Sequence, residues 1–278
     1  MKIICDFYHD FLAFCRAELE SFAYSTAGKT DEDVNRMFWN LFYRIPSMRP
    51  RKILSAKTFL CPSKLENGLK TLENAIIQGN SLKPYLSRRV DHIDDEQFYD
   101  NLLSDWNIHH FHLGTTMRSD GFVERTGSLL FATLDNDYFY EIAIMDHKDH
   151  WTEKELLETI NANWPELTRI HMLHAISTRS NFSNDAIKKF RANGIQTLVS
   201  LTDGKVLIPA GGGYSTDGTP MDVIQNSDCM MIRLRNIQKV FEQLNYERIP
   251  DEYKTRKSLT ITAKFSYENI FTPEFISS

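Results

Sequence analysis

Residues 108–145 read IHHFHLGTTMRSDGFVERTGSLLFATLDNDYFYEIAIM, and this stretch decides the fold class. Three runs rich in aromatic and β-branched residues, IHHFHL, SLLFATL and DYFYEIAIM, are separated by Gly114, Gly121, Gly127 and the triplet Asp135-Asn136-Asp137. Runs of that length and composition between turn formers are strands. The triplet tolerates the left-handed backbone that a tight hairpin requires, so three consecutive antiparallel strands are expected.

Upstream, the spacing is helical. Phe7, Phe11, Leu12, Phe14, Cys15, Leu19 and Phe22 recur three and four residues apart, which predicts an amphipathic helix within 3–22. Thr30, followed by Asp31, Glu32 and Asp33, caps a second helix through Val34 to Phe42, and Pro46 and Pro50 end it. A basic loop follows, then a helix starting near Pro62-Ser63 and stopped by Gly79, and a short helix from Asp94 to Leu103.

Downstream, Thr152 with Glu153 and Glu155 opens a helix that ends before Trp164-Pro165. RIHMLHAI is a candidate strand, and Ser183 to Ala192 a candidate helix. IQTLVSL and KVLIPA form strands joined at Asp203-Gly204. Gln225 to Arg248 is helical in pattern, with strand character near Leu259 to Phe265. The expected architecture is α+β: a helical N-terminal region over 1–104, and over 105–278 a mainly antiparallel sheet with flanking helices.

Composition sets bounds on function. The chain has 278 residues, 42% hydrophobic and 25% charged, enough to bury a sizeable core. A net charge of −5 argues against coating nucleic acid by bulk attraction and leaves room for a local basic groove. Cys5, Cys15, Cys61 and Cys229 are far apart and form no CxxC pair, so neither a zinc knuckle nor a disulfide framework is indicated. Asp6, His9 and Asp10 interrupt the apolar N-terminus, and no run approaches the roughly 18 apolar residues that cross a bilayer. The expectation is a cytoplasmic protein without a membrane partner.

Histidines carry the strongest chemical signal. His109, His110, His112, His147, His150, His171 and His174 are seven of the nine in the chain. On a strand, side chains alternate between faces, so His110 and His112 share one face and His109 and Phe111 the other. Imidazole titrates near neutral pH, and two of them divide the roles of general base and general acid. In cleavage of a phosphodiester, the ribose 2′-hydroxyl is the nucleophile. One histidine takes its proton, a second acid protonates the leaving oxygen, and Arg118, Arg125 or Lys148 stabilises the charge on phosphorus. That version needs no cofactor. A divalent metal, zinc or manganese, held by His110 and His112 with Asp146, His147 or His150 is the alternative. A third possibility is that the histidines are structural, on a half-exposed sheet face or hydrogen-bonded in the core.

GGGYSTDGT, residues 211–219, is the most unusual loop. Consecutive glycines let backbone amides approach an anion, so Gly212, Gly213, Tyr214 and Ser215 are candidate substrate-binding residues; a plain glycine-rich turn is the other reading. It lacks the lysine of a P-loop and the GxGxxG spacing. Arg44, Arg49, Arg51, Lys52, Lys57, Lys83, Arg88 and Arg89 lie in sequence near Phe42, Tyr43, Phe59 and Tyr85, a composition that follows a phosphate backbone and stacks on bases if clustered in space. No GxSxG elbow and no HExxH helix occurs.

The succession HFHLG, an arginine in ERTGSLLFA, then YFYEIAIMDHKDHW resembles the central sheet of the RelE/HigB-type messenger-RNA interferase toxins. Over these roughly 45 residues, the resemblance implies that Arg125 occupies the phosphate-contacting position and His147 or His150 the terminal histidine. The chain is much longer than such toxins, and the HHFH cluster departs from their pattern. The resulting expectation is a histidine-dependent endoribonuclease acting as a toxin or phage-defence effector. His110, His112, Arg125 and His147 would be its catalytic set, RNA or single-stranded nucleic acid its partner, and a neutralising protein a further one. A non-catalytic binding or regulatory module and a metal-dependent hydrolase are the competing expectations.

Overall fold

The computed structural model describes residues 2–91, 100–146, 153–173, 186, 189–190, 197–209, 211–213, 215, 219–243, 252 and 257–277. The protein is α+β, with two compact units. One joins residues 1–43 to 223–278; the other is 44–222. The segment 1–104 is thus shared between them, and the chain leaves the first unit and returns to it.

The discontinuous unit contains β1 (Lys2–Ile4), α1 (Phe7–Ser21), most of α2 (Asp31–Arg44), β9 (Ser258–Lys264) and β10 (Glu274–Ser277). Most of a long helix, Met221–Glu242, also belongs to it. Asp6 caps α1 by accepting from the His9 amide at 3.0 Å. At the start of α2, the Thr30 hydroxyl accepts from the Asp33 amide at 3.2 Å while the Asp33 carboxylate accepts from the Thr30 amide at 3.1 Å, a reciprocal cap. These bonds to the ionised form hold the Asp33 carboxyl below its usual range. The helix expected from Ile3 starts later because residues 2–4 pair in parallel with β9, which in turn pairs antiparallel with β10. Along β9, Leu259, Ile261 and Ala263 are buried and their neighbours exposed. The core is aromatic: Phe7 meets Phe275 at 4.8 Å and Phe241 at 5.2 Å, and Trp39 stacks on Phe271 at 5.8 Å. The Asp10 carboxylate accepts from the Ala263 amide at 2.7 Å and ties α1 to β9.

The continuous unit is built on a four-stranded sheet, β2 (Lys52–Ser55), β5 (Tyr138–Asp146), β4 (Ser128–Leu134) and β3 (His109–His112), in that spatial order. The three expected strands form and are antiparallel. Beyond them, KILS at 52–55 adds a parallel edge strand where a basic loop was expected. The hairpin at 135–137 uses no left-handed residue. The Asp135 side chain instead accepts from the Asp137 and Tyr138 amides at 2.8 and 2.7 Å, an Asx turn that closes the loop by hydrogen bonding. A bulge between Phe131 and Ala132 shifts the β4–β5 register by one residue.

One sheet face carries Leu129, Phe131, Tyr140 and Ile142. It packs on Leu102 and Trp106 of α4 (Asn101–Trp106), on Leu156, Leu157 and Ile160 of α5 (Glu153–Asn163), and on Trp164. Trp164 precedes the short α6 (Pro165–Thr168). Val199 and Leu207, from a small sheet of β6 (Met172–Leu173), β8 (Val206–Leu207) and β7 (Val199–Ser200), complete this core. The opposite face is covered by α3 (Glu66–Gln78), which lies along β2. Gly68 of α3 sits so close to Leu113 that a Cβ there would lie 1.8 Å from the Leu113 carbonyl oxygen. Of the helix expected over 183–192, only Ala186, Lys189 and Phe190 lie among the described residues, and all three are helical. Among the described residues no helix is long and apolar enough to cross a membrane.

Candidate functional site

The pairing register sorts the histidines. His110 pairs with Phe131 and His112 with Leu129, so both lie on the face of the large core, while His109 and Phe111 lie on the opposite face, where Phe111 meets Phe139. The alternation expected from sequence is the one observed. Burial then separates their roles. His109 is 5% exposed and stacks on Phe111 at 5.9 Å, and burial pushes it down to about 4, so it is neutral at physiological pH. His171 is buried against Trp106 at 5.2 Å. Its Nδ1–H donates to the Ile208 carbonyl at 3.3 Å, and burial again lowers its pKa. These two are structural. His112 is buried as well, at the end of β3.

His110 is the exception, with a side chain 26% exposed and its Nδ1 3.6 Å from Oδ2 of Asp100. That separation is ion-pair range, longer than a hydrogen bond. The other carboxylate oxygen, Oδ1, accepts from the Leu103 amide at 3.2 Å and caps α4, so the carboxylate is held in place. The juxtaposition has a local cause. α4 ends at Asn107, which takes a left-handed conformation at φ 54°, and the Ile108 amide reaches back to the Leu102 carbonyl at 3.1 Å. From Asp100 to Asn107 the helix advances about 10 Å at 1.5 Å per residue. The strand then returns about 3.3 Å per residue, which brings the third residue, His110, back level with Asp100. Sequence reasoning missed Asp100 because a helix over 94–103 buries it mid-helix. The available signal was an Asp three residues ahead of Leu103, with Asn107 as stop.

The remaining candidates divide. His147, Lys148, His150 and Tyr214 lie outside the described residues. Asp146 pairs with Ser128 and accepts from its hydroxyl. Since Leu129 and Met145 lie on the His112 face, alternation turns Ser128 and Asp146 to the other side of the sheet, away from His110 and His112. The metal set that included Asp146 is therefore not assembled. No group of three or more His, Cys, Asp or Glu suited to a metal occurs among the described residues.

Gly212 and Gly213 have φ of 72° and 83°, and a Cβ on Gly211 would lie 1.6 Å from the Ser104 carbonyl oxygen. These glycines serve a left-handed backbone path packed against α4. The Ser215 amide and hydroxyl both bond to the Thr219 carbonyl, at 2.9 and 3.1 Å, so its donors close the loop. Arg51, read as part of a basic surface, is 5% exposed. It donates to the Asp135, Ser47 and Arg49 carbonyls and to the Ser47 hydroxyl, tying the start of β2 to the β4–β5 hairpin. Burial brings its pKa down to about 10, which leaves it charged at neutral pH.

Arg125 lies in the extended segment ahead of β4, not on the strand, and its guanidinium reaches Ser87 Oγ at 3.5 Å. Arg118 belongs to the turn Arg118–Gly121, which is closed by the Gly121 amide on the Arg118 carbonyl at 3.1 Å. Arg118 Nε is 3.6 Å from Asp120, and the same carboxylate meets Arg88 Nη1 at 3.2 Å. The structure thus gathers Arg118, Arg125 and Arg88, which the sequence scatters over 38 positions. Their cluster is linked to the histidine strand: the Leu113 amide, one residue past His112, donates to Thr126 Oγ1 at 3.2 Å, one residue past Arg125.

Compared with protein-family models, curated proteins and solved structures, the chain matches none.

Proposed function

We propose that the continuous unit, 44–222, is a histidine-dependent ribonuclease in which His110 is the general base. The observation that carries this reading is the partly exposed imidazole of His110 with Nδ1 facing the fixed carboxylate of Asp100. A carboxylate beside Nδ1 favours the tautomer with its proton there and leaves Nε2 as the lone-pair face, the arrangement that orients a catalytic imidazole. Nε2 would take the proton of the ribose 2′-hydroxyl, and the oxygen attacks the adjacent phosphorus. The leaving oxygen takes its proton from solvent, since His112, the nearest imidazole on the same face, is buried. Arg125 and Arg118 lie at the His112 end of the sheet, beyond the reacting centre, where their charge favours a polyanionic substrate. The resemblance of the strand order to messenger-RNA interferases supports the choice of RNA, and a toxin or defence role belongs to the same proposal.

The test is incubation of purified protein with total RNA and with single-stranded DNA, with and without EDTA. Cleavage of RNA that survives EDTA is expected. The variants His110→Ala and Asp100→Asn should keep the circular dichroism of the wild type. His110→Ala is expected to lower the rate about 10²- to 10⁴-fold, the contribution of one positioned general base, and Asp100→Asn to lower it by less. Cleavage undiminished in His110→Ala, or absent from a folded wild type, would overturn the proposal.

A further inference from the structure

Three arginines from separate segments converge on one side of the continuous unit. Arg88 comes from a helical turn at Arg88–Asp91, Arg118 from the turn at 118–121, and Arg125 from the segment leading into β4. Their backbone is anchored. Met117 bridges Val123, the Val123 amide donates to the Pro84 carbonyl at 2.9 Å, and the Glu124 amide donates to the Thr116 carbonyl at 2.8 Å. Gly114 lies so close to Glu124 that a Cβ would sit 2.1 Å from its carbonyl oxygen. Phe122 and Val123 are buried beneath. The arginine side chains are nevertheless exposed, 44% for Arg88 and 48% for Arg118.

Their charge is only partly answered. Asp120 is shared by two guanidinium groups, and Arg125 meets a neutral hydroxyl. Among the described residues, the guanidinium groups of Arg88, Arg118 and Arg125 meet one carboxylate, that of Asp120. Lys83 is paired with Asp91 at 2.9 Å. A guanidinium fork matches the geometry of phosphate oxygens, and a rigid frame lowers the entropy lost when they bind.

We infer that Arg88, Arg118 and Arg125 form a binding site for the phosphate backbone of single-stranded RNA, outside the bond that is cut. This rests on the ribonuclease reading for the choice of polyanion. The link from Thr126 to Leu113 places the cluster at the His112 end of β3, about 10 Å along the strand from His110, and therefore on a neighbouring phosphate rather than the scissile one. Asp120 acts as the internal competitor of the RNA, occupying the forks of Arg88 and Arg118 when no strand is bound.

The experiment is fluorescence anisotropy of a labelled single-stranded RNA oligonucleotide with the full chain in EDTA, in the His110→Ala background, at several salt concentrations. Three contacts on single-stranded RNA correspond to a slope of log K against log salt of about −2. The triple variant Arg88→Ala, Arg118→Ala, Arg125→Ala should weaken binding at least about tenfold at low salt and flatten that slope by about the same amount. Asp120→Asn should tighten it. Unchanged affinity and slope in the triple variant would overturn the inference. So would failure of the parent protein to bind RNA, including the case in which it binds vesicles of anionic lipid through these arginines instead. RNA binding that needs the arginines, without cleavage that needs His110, would sink the ribonuclease and leave the RNA site standing.

Discussion

Between pH 5 and pH 8, the variant Glu141→Gln is expected to gain about 2 to 3 kcal/mol of stability relative to the wild type. Glu141 lies on β5 beneath α3, 1% exposed. One carboxyl oxygen accepts from Ser55 Oγ at 2.8 Å, and the other, Oε1, has no partner among the described residues. Burial, reinforced by the nearby Glu73 carboxylate and only partly offset by the Ser55 bond, pushes the group up to about 7 from an ordinary 4.5. A carboxyl whose pKa is raised in the folded state stabilises the fold fully below its unfolded value. That stabilisation is lost as pH rises from 4.5 through 7 and changes no further above it.

His109 acts in the opposite sense on the same sheet face. It pairs with Ala132, which pairs with Glu141, so the two groups stand in one row across the sheet. Because its pKa is depressed to about 4 from 6.5, its neutrality destabilises the fold as pH falls from 6.5 through 4. Between about 4.5 and 6.5 the two slopes oppose each other, and the wild-type profile is flattened. Denaturant unfolding of wild type and Glu141→Gln side by side isolates the glutamate. A difference between them that stays constant from pH 5 to 8 would show that the carboxyl titrates normally.

The second large effect is expected from Gly68→Ala. Alanine in place of glycine within a helix ordinarily stabilises by about 1 kcal/mol. Here the new Cβ would lie 1.8 Å from the Leu113 carbonyl oxygen and 2.6 Å from its carbon, and neither atom belongs to a flexible side chain. α3 and the end of β3 must move apart by more than 1 Å, so a net loss of about 3 kcal/mol is expected, near the upper end for overpacking. For a domain of this size that is a fall in Tm of roughly 10 °C. Leu113 follows His112, so the histidine strand is displaced too, and any activity of His110 should fall with stability. Gly127→Ala is the control: no atom lies within 4 Å of its Cβ position and its φ is ordinary, so thermal unfolding should be unchanged within about 0.5 kcal/mol. Equal melting of the two variants would contradict the close approach of α3 and β3.

Elements whose signals are local are legible in the amino-acid order alone. The 3.6-residue apolar spacing and the reciprocal Thr30–Asp33 cap specify α1 and α2, and Gly79 stops α3 because only the left-handed conformation at φ 72° turns the chain there. The dense β-branched and aromatic runs specify β3, β4 and β5, and period-two alternation alone places His110 and His112 on one face. The remaining features depend on long-range packing. KII at 2–4 and KILS at 52–55 are strands because β9 and β5, distant in the chain, pair with them; three or four residues carry too little local preference to show this. Arg51 and Arg125 look alike in sequence, yet one is buried as a brace for a hairpin and the other is exposed beside Arg88 and Arg118. Of four described histidines between 109 and 171, only His110 keeps a partly open ring facing a carboxylate. That distinction depends on what folds over each imidazole, and burial is a property of packing against residues far away in sequence, which no local spacing encodes.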